Sequence, residues 1–420
     1  MRPSLKMLVG LEFHRKASVV TRSFISCIPF LARFLSKRHD RHRPILCCII
    51  VSSVFVGIKM KLLDLFSGCG GMTLGAKNAG FQTALAVDID PILSSSFGKN
   101  FPNIPFLRAD VSLLGAENLS EVIAHGVDGV IGGPPCQGFS GIGRGDAADP
   151  RRTLLGEFFR IVDLVSPRFF VMENVPGLMF PDNKPVLDSA LARLGSEWEI
   201  VGPVILDASD FGAPTKRKRV FVFGFNKLKT APLSLSKITS GFYPSVNVKD
   251  AIADLKGAYI AKDGLWRYKS KARSTYAFKM RSQSGKFNGH QLTKHKLSTE
   301  LRFSTIPQGG VDPVGKHKRL AWSGYCPTLR AGTGSDKGSY QSVRPLHPDE
   351  DRVITPREGA RLQGFPDEFI FHDTVWHSFR MIGNSVSPII AEALLGNIHD
   401  GLSELRVAER PSNFEKNLSV

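Results

Sequence analysis

The sequence has no run of about 18 apolar residues, the length that commonly forms a membrane-crossing helix, and this absence argues against a polytopic membrane protein. Cysteine is also scarce, with six residues in 420 and no CxxC pair. These features argue against a zinc ribbon or a disulfide scaffold and suit a reducing compartment. Hydrophobic residues make up 42% of the chain and charged residues 22%, which excludes collagen-like, low-complexity and wholly disordered proteins.

Acidic residues are scarce in two segments, so the net charge of +17 is unevenly distributed. Residues 1–60 hold 11 Lys/Arg against 2 Asp/Glu and residues 226–350 hold 22 against 8, whereas the remainder is net negative. Clustered cations attract phosphates, so the internal basic segment predicts a surface that binds nucleic acid. A merely solvated charged face is the alternative that charge alone leaves open.

Five short apolar runs alternate with helical patterns between residues 61 and 225. They are KLLDLF (61–66), TALAV (83–87), GVIGG (129–133), RFFVMEN (168–174) and RVFVFGF (219–225). Each run is continuous rather than alternating, which is typical of buried parallel strands. Repeated strand–helix units predict an α/β fold with a mostly parallel sheet, helices on both faces and ligands at the carboxyl ends of the strands.

The chain changes character after residue 225. Residues 226–350 are rich in Ser, Gly, Lys and Arg with little periodicity, which predicts a smaller irregular recognition segment. Helical patterning returns at TPREGARLQGF, where Thr355 and Glu358 have the spacing of a capping box. A final helix is predicted through SPIIAEALLGNI.

The motif DLFSGCGG follows the first strand and opens a helix. Gly68 and Gly70 allow the backbone to approach a ligand closely, while Asp64 and the helix amino-terminus can face a nucleoside or an ammonium group. Asp88 ends the next strand, where a carboxylate can accept hydrogen bonds from ribose hydroxyls, and Asp110 follows the third strand. Three acids on one edge favour an adenosine cofactor without a pyrophosphate, although each could simply cap a helix.

A second group of motifs carries reactive side chains. Cys136 lies in a stiff Pro-Pro-Cys turn, which suits a nucleophile better than a structural thiol. Glu173 ends another strand, where a partly buried carboxyl group can share a proton or cap a helix. Arg217 and Arg219 share one face of a strand at period two, with a solvated basic strand start as the alternative.

These motifs, in this order, resemble those of the DNA (cytosine-5)-methyltransferases. The resemblance covers residues 61 to about 225 and about 343 to 398. It is carried by DLFSGCGG, GGPPCQGFS, ENVPG, DFGAPTKRKRVFVFG, RVITPREGARLQGFPDEF and RMIGNSVSP. The chain departs from the family at Thr215, where glutamine is usual, so a supporting hydrogen bond from that amide is in doubt.

The resemblance implies a Rossmann-like methyltransferase fold that uses S-adenosylmethionine. Cys136 is then the nucleophile on carbon 6 of a flipped-out cytosine. Glu173 would contact the ring nitrogen and the exocyclic amine, and Arg219 would hold the base carbonyl. Arg217 would support the acid or a nearby phosphate.

The resemblance also assigns a cofactor site, in which Asp88 takes the ribose, Ile89 packs on adenine and Asp110 takes the adenine amino group. The full set of implied residues is Asp64, Phe66, Gly68, Gly70, Asp88, Ile89, Asp110, Pro135, Leu154, Asn384 and Ser385. Asn384 and Ser385 lie far along the chain, so residues 351–420 are expected to return and complete the catalytic domain of residues 60–225.

Further expectations come from the same resemblance. The substrate is double-stranded DNA read by residues 226–350, within restriction-modification, by a monomer with no obligate protein partner. No membrane association is expected, and the location is cytoplasmic, near the nucleoid in a prokaryote. An RNA cytosine-5 methyltransferase is one alternative, although the Cys-Phe-Thr signature of such relatives is not found. A catalytically inactive DNA-binding homologue is the other, and intact Cys136, Glu173 and Arg219 argue against it.

Residues 1–59 lie outside the resemblance. Because MKLLDLFSGCGG places the first strand directly after Met60, this extra segment is expected to be disordered or absent from the native protein. Its basic, acid-poor composition also resembles a transit peptide. Its apolar stretch PILCCIIVSSVFVGI is short for a membrane anchor.

Overall fold

The computed structural model describes residues 59–135, 153–331 and 344–408. From residue 59 onward these residues pack as one compact unit. The strands, numbered along the chain, are β1 (Lys61–Leu65), β2 (Gln82–Val87), β3 (Phe106–Leu107), β4 (Gly129–Gly132), β5 (Phe169–Asn174), β6 (Trp198–Asp207), β7 (Thr215–Lys216), β8 (Lys218–Asn226), β9 (Tyr259–Ile260), β10 (Trp266–Arg267), β11 (Lys286–Phe287) and β12 (Cys326–Pro327).

The helices lie between these strands and after them. They are α1 (Gly71–Asn78), α2 (Phe97–Asn100), α3 (Ser120–His125), α4 (Leu154–Val165), α5 (Lys184–Leu191), α6 (Leu235–Ile238), α7 (Val248–Ile252), α8 (Thr275–Met280), α9 (Leu297–Ser304), α10 (Pro356–Gln363), α11 (Val375–Asn384) and α12 (Pro388–Ala408). In the part of the chain that the structure describes, no helix is both long and apolar enough to cross a membrane.

The central sheet has seven strands in the order β3-β2-β1-β4-β5-β8-β6. The first five strands in this order pair in parallel, so the predicted α/β fold with a mostly parallel sheet is confirmed. The expectation that RVFVFGF is a parallel strand was wrong, because β8 runs antiparallel to both β5 and β6. The connection from β6 to β8 is too short for the crossover that a parallel pair requires.

Strand β6 was not predicted from the sequence. It lies at the sheet edge, it is only partly buried, and its register shifts between Val201 and Val204 around Pro203. A proline and an irregular register are tolerated at an edge, where one side of the strand makes no ladder hydrogen bonds. The strand therefore lacks the continuous apolar run that marks its buried neighbours.

Helices cover both faces of the sheet. Along β5, Phe169 and Val171 belong to a core cluster that includes Leu394 of α12, whereas Phe170 belongs to a cluster that includes Phe158 of α4. Successive strand residues point to opposite faces, so a strand that is apolar at every position requires a hydrophobic layer on each side.

The C-terminal part of the chain packs back onto the central sheet. Thr355 and Glu358 form the predicted capping box of α10, and the predicted last helix is α12. A third core cluster combines Phe97 of α2 with Tyr276 of α8 and Phe365. The boundaries predicted at 225/226 and 350/351 mark changes of composition. The hydrophobic core continues across both of them, because one cluster contains residues from each side.

A buried ionic cluster joins residues 226–350 to α10. Arg361 is fully buried and donates to both carboxylate oxygens of Asp367, at 2.7 and 2.6 Å. Its Nη1 also donates to Oδ1 of Asp254, at 3.1 Å. Paired and hydrogen-bonded on every side, the guanidinium can remain charged away from water.

We predict that Arg361→Leu lowers the free energy of unfolding by about 3–5 kcal/mol, because the buried Asp367 would lose its closest cation and the buried Asp254 would keep only Arg281. Lys184→Leu is the control, since the Lys184–Asp188 pair on α5 is exposed and should contribute less than about 1 kcal/mol. Urea denaturation followed by circular dichroism measures both changes. Equal losses in the two variants would contradict the importance assigned to the buried cluster.

Candidate active site

The turn between β1 and α1 has an unusual backbone. Phe66, Gly68 and Gly70 all have positive φ, at 58°, 53° and 94°. At Gly70 a Cβ atom would lie 2.3 Å from the ring of Phe101, so glycine is required there by space as well as by conformation. Phe66 adopts the left-handed region without being glycine, which costs energy and is typical of functional sites.

A cavity of about 390 Å³ lies at the carboxyl ends of β1, β2, β4 and β5. The structure brings most of the predicted site residues into its wall, namely Asp64, Phe66, Gly68, Asp88, Ile89, Pro135, Glu173, Arg217, Arg219, Asn384 and Ser385. Cys136 directly follows Pro135 and lies outside the described residues, as does the glycine-rich stretch after it.

Three predicted residues do not line this cavity. Asp110 accepts hydrogen bonds from the backbone N–H and the hydroxyl of Ser112, so it caps its own turn at a half-buried position. Leu154 begins α4, and Gly70 packs against Phe101. The roles implied for these three residues stay predictions.

Asp64 is the most deeply buried acid of the cavity, with 1% of its surface exposed. Its Oδ2 accepts a hydrogen bond from the Thr73 hydroxyl at 2.5 Å, while no described residue donates to its Oδ1. Burial raises the pKa of Asp64 to about 7; the Thr73 bond opposes this shift and the nearby Asp88 adds to it. The Oδ1 atom is suited to a cationic or hydrogen-bonding ligand group.

Asp88 is held rigidly at the end of β2. Its two carboxylate oxygens accept from the backbone N–H groups of Gly68 and Asp90, each at 2.7 Å. Burial raises the pKa of Asp88, and these two hydrogen bonds partly offset the rise. Each oxygen keeps a further lone pair, so the oriented carboxylate can still accept from a diol.

Glu173 and Arg219 form a largely buried ion pair on the other side of the cavity. Arg219 Nε lies 2.9 Å from Glu173 Oε1, because antiparallel pairing places the start of β8 beside the end of β5. Burial raises the pKa of Glu173, while Arg219 and then Arg217 lower it. Next to Glu173, Asn174 donates to the carbonyl of Pro134 at 3.2 Å and so positions the segment that leads to Cys136.

Arg217 has a different environment from Arg219 although only one residue separates them. It is 2% exposed, and its guanidinium donates to the carbonyl oxygens of Leu329, Gly383 and Ser385. Its charge lowers the pKa of Glu173, which agrees with support of the acid. The predicted contact with a phosphate is not available at this depth.

Asp90 is a cavity residue that the sequence analysis missed. It accepts from the backbone N–H groups of Ile92 and Leu93 and forms an ion pair with Arg380 of α11 at 3.5 Å. An aspartate directly before a proline is a turn signature and could have marked it. The partner Arg380 could not have been found, because it lies 290 positions away in the chain.

Comparison with known proteins identifies the family. The model of the C-5 cytosine-specific DNA methylases matches residues 60–400. The chain belongs to this family. It is therefore a DNA (cytosine-5)-methyltransferase, as the sequence motifs predicted.

Individual relatives agree with this assignment. The methyltransferase is 37% identical to the Type II methyltransferase M.XorII of Xanthomonas oryzae pv. oryzae over 84% of this chain and 87% of that protein. It is 33% identical to M.DdeI of Desulfomicrobium norvegicum over 81% and 88%. A DNA modification methyltransferase encoded in an E. coli prophage superposes with a TM-score of 0.72 at 36% identity, over 82% of this chain and all of that one.

We predict that Asp64 makes the stability of the ligand-free methyltransferase depend on pH. Because its pKa is about 7 when folded and about 4 when unfolded, the folded state binds the proton more tightly. Stability should therefore fall as the pH rises from about 4 to 7, by up to about 4 kcal/mol from this group. Urea denaturation across that range should show the dependence in the wild type and its loss in Asp64→Asn; parallel curves would contradict it.

Proposed function

We propose that the methyltransferase transfers a methyl group from S-adenosylmethionine to carbon 5 of cytosine in a specific duplex DNA sequence. One observation carries the proposal. A single cavity holds Asp64 and Asp88 on one side and the Glu173–Arg219 pair on the other, next to Pro135. Groups suited to an adenosine cofactor and groups suited to a cytosine ring are thus placed within one reaction space.

The cavity residues suit S-adenosylmethionine. Asp64 Oδ1 has no donor among the described residues and can accept from the ammonium group, while the oriented Asp88 can accept from the ribose hydroxyls. Ile89 is 57% exposed and offers an apolar surface to the adenine ring. A volume of about 390 Å³ lies within the usual range for small-molecule sites. When bound, the cofactor supplies an electrophilic methyl group.

In the proposed reaction, the Cys136 thiolate attacks carbon 6 of cytosine. This addition forms a carbon–sulfur bond and turns carbon 5 into an enamine carbon, which is nucleophilic. Carbon 5 would take the methyl group as the bond from the methyl group to the sulfonium sulfur breaks, which leaves a neutral thioether. Loss of the carbon-5 proton to a base and departure of the Cys136 sulfur then restore the aromatic ring. A stacked base hides this face, so the cytosine must first be flipped out of the duplex.

Glu173 and Arg219 act on the ring rather than on the methyl group. The raised pKa of Glu173 favours a carboxyl group that can share a proton with ring nitrogen N3 and so stabilise the charge that develops there. Arg219 orients Glu173 and can donate to the base carbonyl. Arg217 is assigned to positioning, because its guanidinium is engaged with backbone carbonyls.

The basic segment of residues 226–350 supports a DNA substrate. Its aromatic residues Tyr268 and Tyr276 pack within the protein and are not available to stack on bases. Tyr276 is buried and donates to the carbonyl of Arg361, and Tyr268 stacks on Phe287. Phosphate binding is assigned instead to exposed cations, a set that includes Lys269, Lys271 and Arg273. Base reading is proposed for residues 285–345.

The relatives M.XorII and M.DdeI are Type II methyltransferases, which supports a place for this enzyme in restriction-modification. The expectation of a monomer without an obligate protein partner stays a prediction.

An assay with labelled S-adenosylmethionine tests the proposal against its two alternatives. Transfer to duplex DNA, with bisulfite sequencing to locate the modified cytosine, is the expected result. Transfer to transfer RNA alone would identify an RNA methyltransferase. Absence of transfer to either substrate would indicate an inactive DNA-binding homologue.

We predict that Cys136→Ser lowers turnover by about 10⁴-fold or more, since an alcohol is a far weaker nucleophile than a thiolate, while cofactor binding persists. Glu173→Gln should also lose most activity without loss of DNA binding. Cys326→Ala is the control, because this buried thiol lies outside the cavity and its pKa is raised by burial. Near-normal methylation by Cys136→Ser would refute the assignment of the nucleophile.

We predict that replacing Lys269, Lys271 and Arg273 by glutamine weakens DNA binding equally for all sequences. The salt dependence of binding should flatten by about one unit of slope for each phosphate that these cations no longer neutralise. Exchange of residues 285–345 with those of a relative should instead change the methylated site. An unaltered site after the exchange would place specificity elsewhere in the enzyme.

A further inference from the structure

A buried junction at Arg217 joins three separate parts of the chain. The guanidinium donates to the carbonyl oxygens of Leu329 at 3.2 Å, Gly383 at 2.9 Å and Ser385 at 2.8 Å. We call Arg217, residues 329–331 and residues 383–385 the Arg217 junction. Because Arg217 is buried, water cannot readily replace a carbonyl that moves away, so the three partners are held together.

The backbones of the junction are in direct contact. A Cβ atom at Gly383 would lie 2.5 Å from the backbone nitrogen of Ala331 and 2.5 Å from the carbonyl carbon of Arg330. No side chain separates the two segments, so one cannot shift toward the other without moving it.

The segment before Leu329 is attached to β7, which directly precedes Arg217. Strands β7 and β12 pair in parallel, and the Thr215 hydroxyl donates to the carbonyl of Cys326 at 3.2 Å. The Thr328 hydroxyl donates to the carbonyl of Lys216 at 2.7 Å. Thr215, where the family usually has glutamine, thus binds the backbone of the recognition segment.

The two ends of the junction lie in different functional regions. Gly383, Asn384 and Ser385 line the cavity proposed for the cofactor, and Gln363 further restrains the Ser385 carbonyl at 3.1 Å. Residues 329–331 belong to the segment proposed to bind DNA. The buried Arg217 side chain is therefore the rigid connection between a wall of the cofactor cavity and the recognition segment.

We propose that the Arg217 junction couples occupancy of the cofactor cavity to engagement of target DNA by the recognition segment, with Arg217 as the positioning residue. This inference rests on the proposed function. A ligand that restrains one segment of the junction also restrains the other. The protein then loses less conformational entropy when the second ligand binds. By linkage, each ligand tightens the binding of the other by the same factor.

Calorimetry can measure this coupling with S-adenosylhomocysteine as the probe, with and without a short duplex that contains the site methylated by the wild type. In the wild type the duplex should tighten binding of the probe by about 10-fold. Arg217→Lys keeps the positive charge, but a single ammonium group cannot reach three carbonyls. The factor by which the duplex tightens binding of the probe should therefore fall close to 1. Binding of each ligand alone is measured in the same titrations, so that the ratio of the two affinities separates the coupling from a direct effect of the substitution on the cavity wall.

Arg319→Lys is the matched control. Arg319 is also a buried arginine that donates to backbone carbonyls, at Phe303 and His347, but it does not line the cavity. The control should keep the wild-type coupling, which separates a loss of coupling from a general loss of stability.

Each alternative result is decisive. Coupling that persists in Arg217→Lys, or a wild type that binds both ligands independently, would overturn the inference and leave the proposed function intact. A wild type that binds neither ligand would overturn the proposed function and the inference with it. If Arg217→Lys does not fold, Thr215→Val replaces it, and Thr215→Ser is the control because serine keeps the hydroxyl. We expect reduced coupling in the valine variant and wild-type coupling in the serine variant. Unchanged coupling in the valine variant would overturn the inference.

Discussion

The parallel alignment of β1, β2, β4 and β5 is the constraint on which the rest of the site depends. Strands that run in one direction place their carboxyl ends at one edge of the sheet, where the chain must leave each strand through a turn. Asp64, Asp88, Pro135 and Glu173 occupy or follow those ends. A common cavity is therefore formed by residues that more than 100 positions of sequence separate.

The reversal of β8 adds the cations that a parallel sheet alone would not bring to this edge. Because β8 runs against β5, its first residues lie beside the last residues of β5, and Arg219 meets Glu173. Both side chains are shielded from water, which strengthens their interaction and makes the loss of either partner costly. The acid is thereby oriented while burial still raises its pKa.

The basic segment of residues 226–350 shows how packing selects among residues that composition treats alike. Its excess of cations indicated a polyanion as its partner, yet Arg281 pairs with the buried Asp254, and Arg319 is buried and donates to backbone carbonyls. Tyr268 and Tyr276 likewise complete the core shared with α10. Only the side chains left exposed after this packing are available to DNA, and sequence patterns carry no information about which ones these are.

The sequence by itself determined the elements whose cause is local. The glycine turn after β1, the buried strands and the capping box at Thr355 each depend on residues a few positions apart. Only the tertiary structure decided that Arg219 faces Glu173 while Arg217 is buried among carbonyls, and that Asp88 lines the cavity while Asp110 caps its own turn. The physical reason is that the partners of Arg217 lie 112 to 168 positions along the chain, and such contacts form only when the whole core packs.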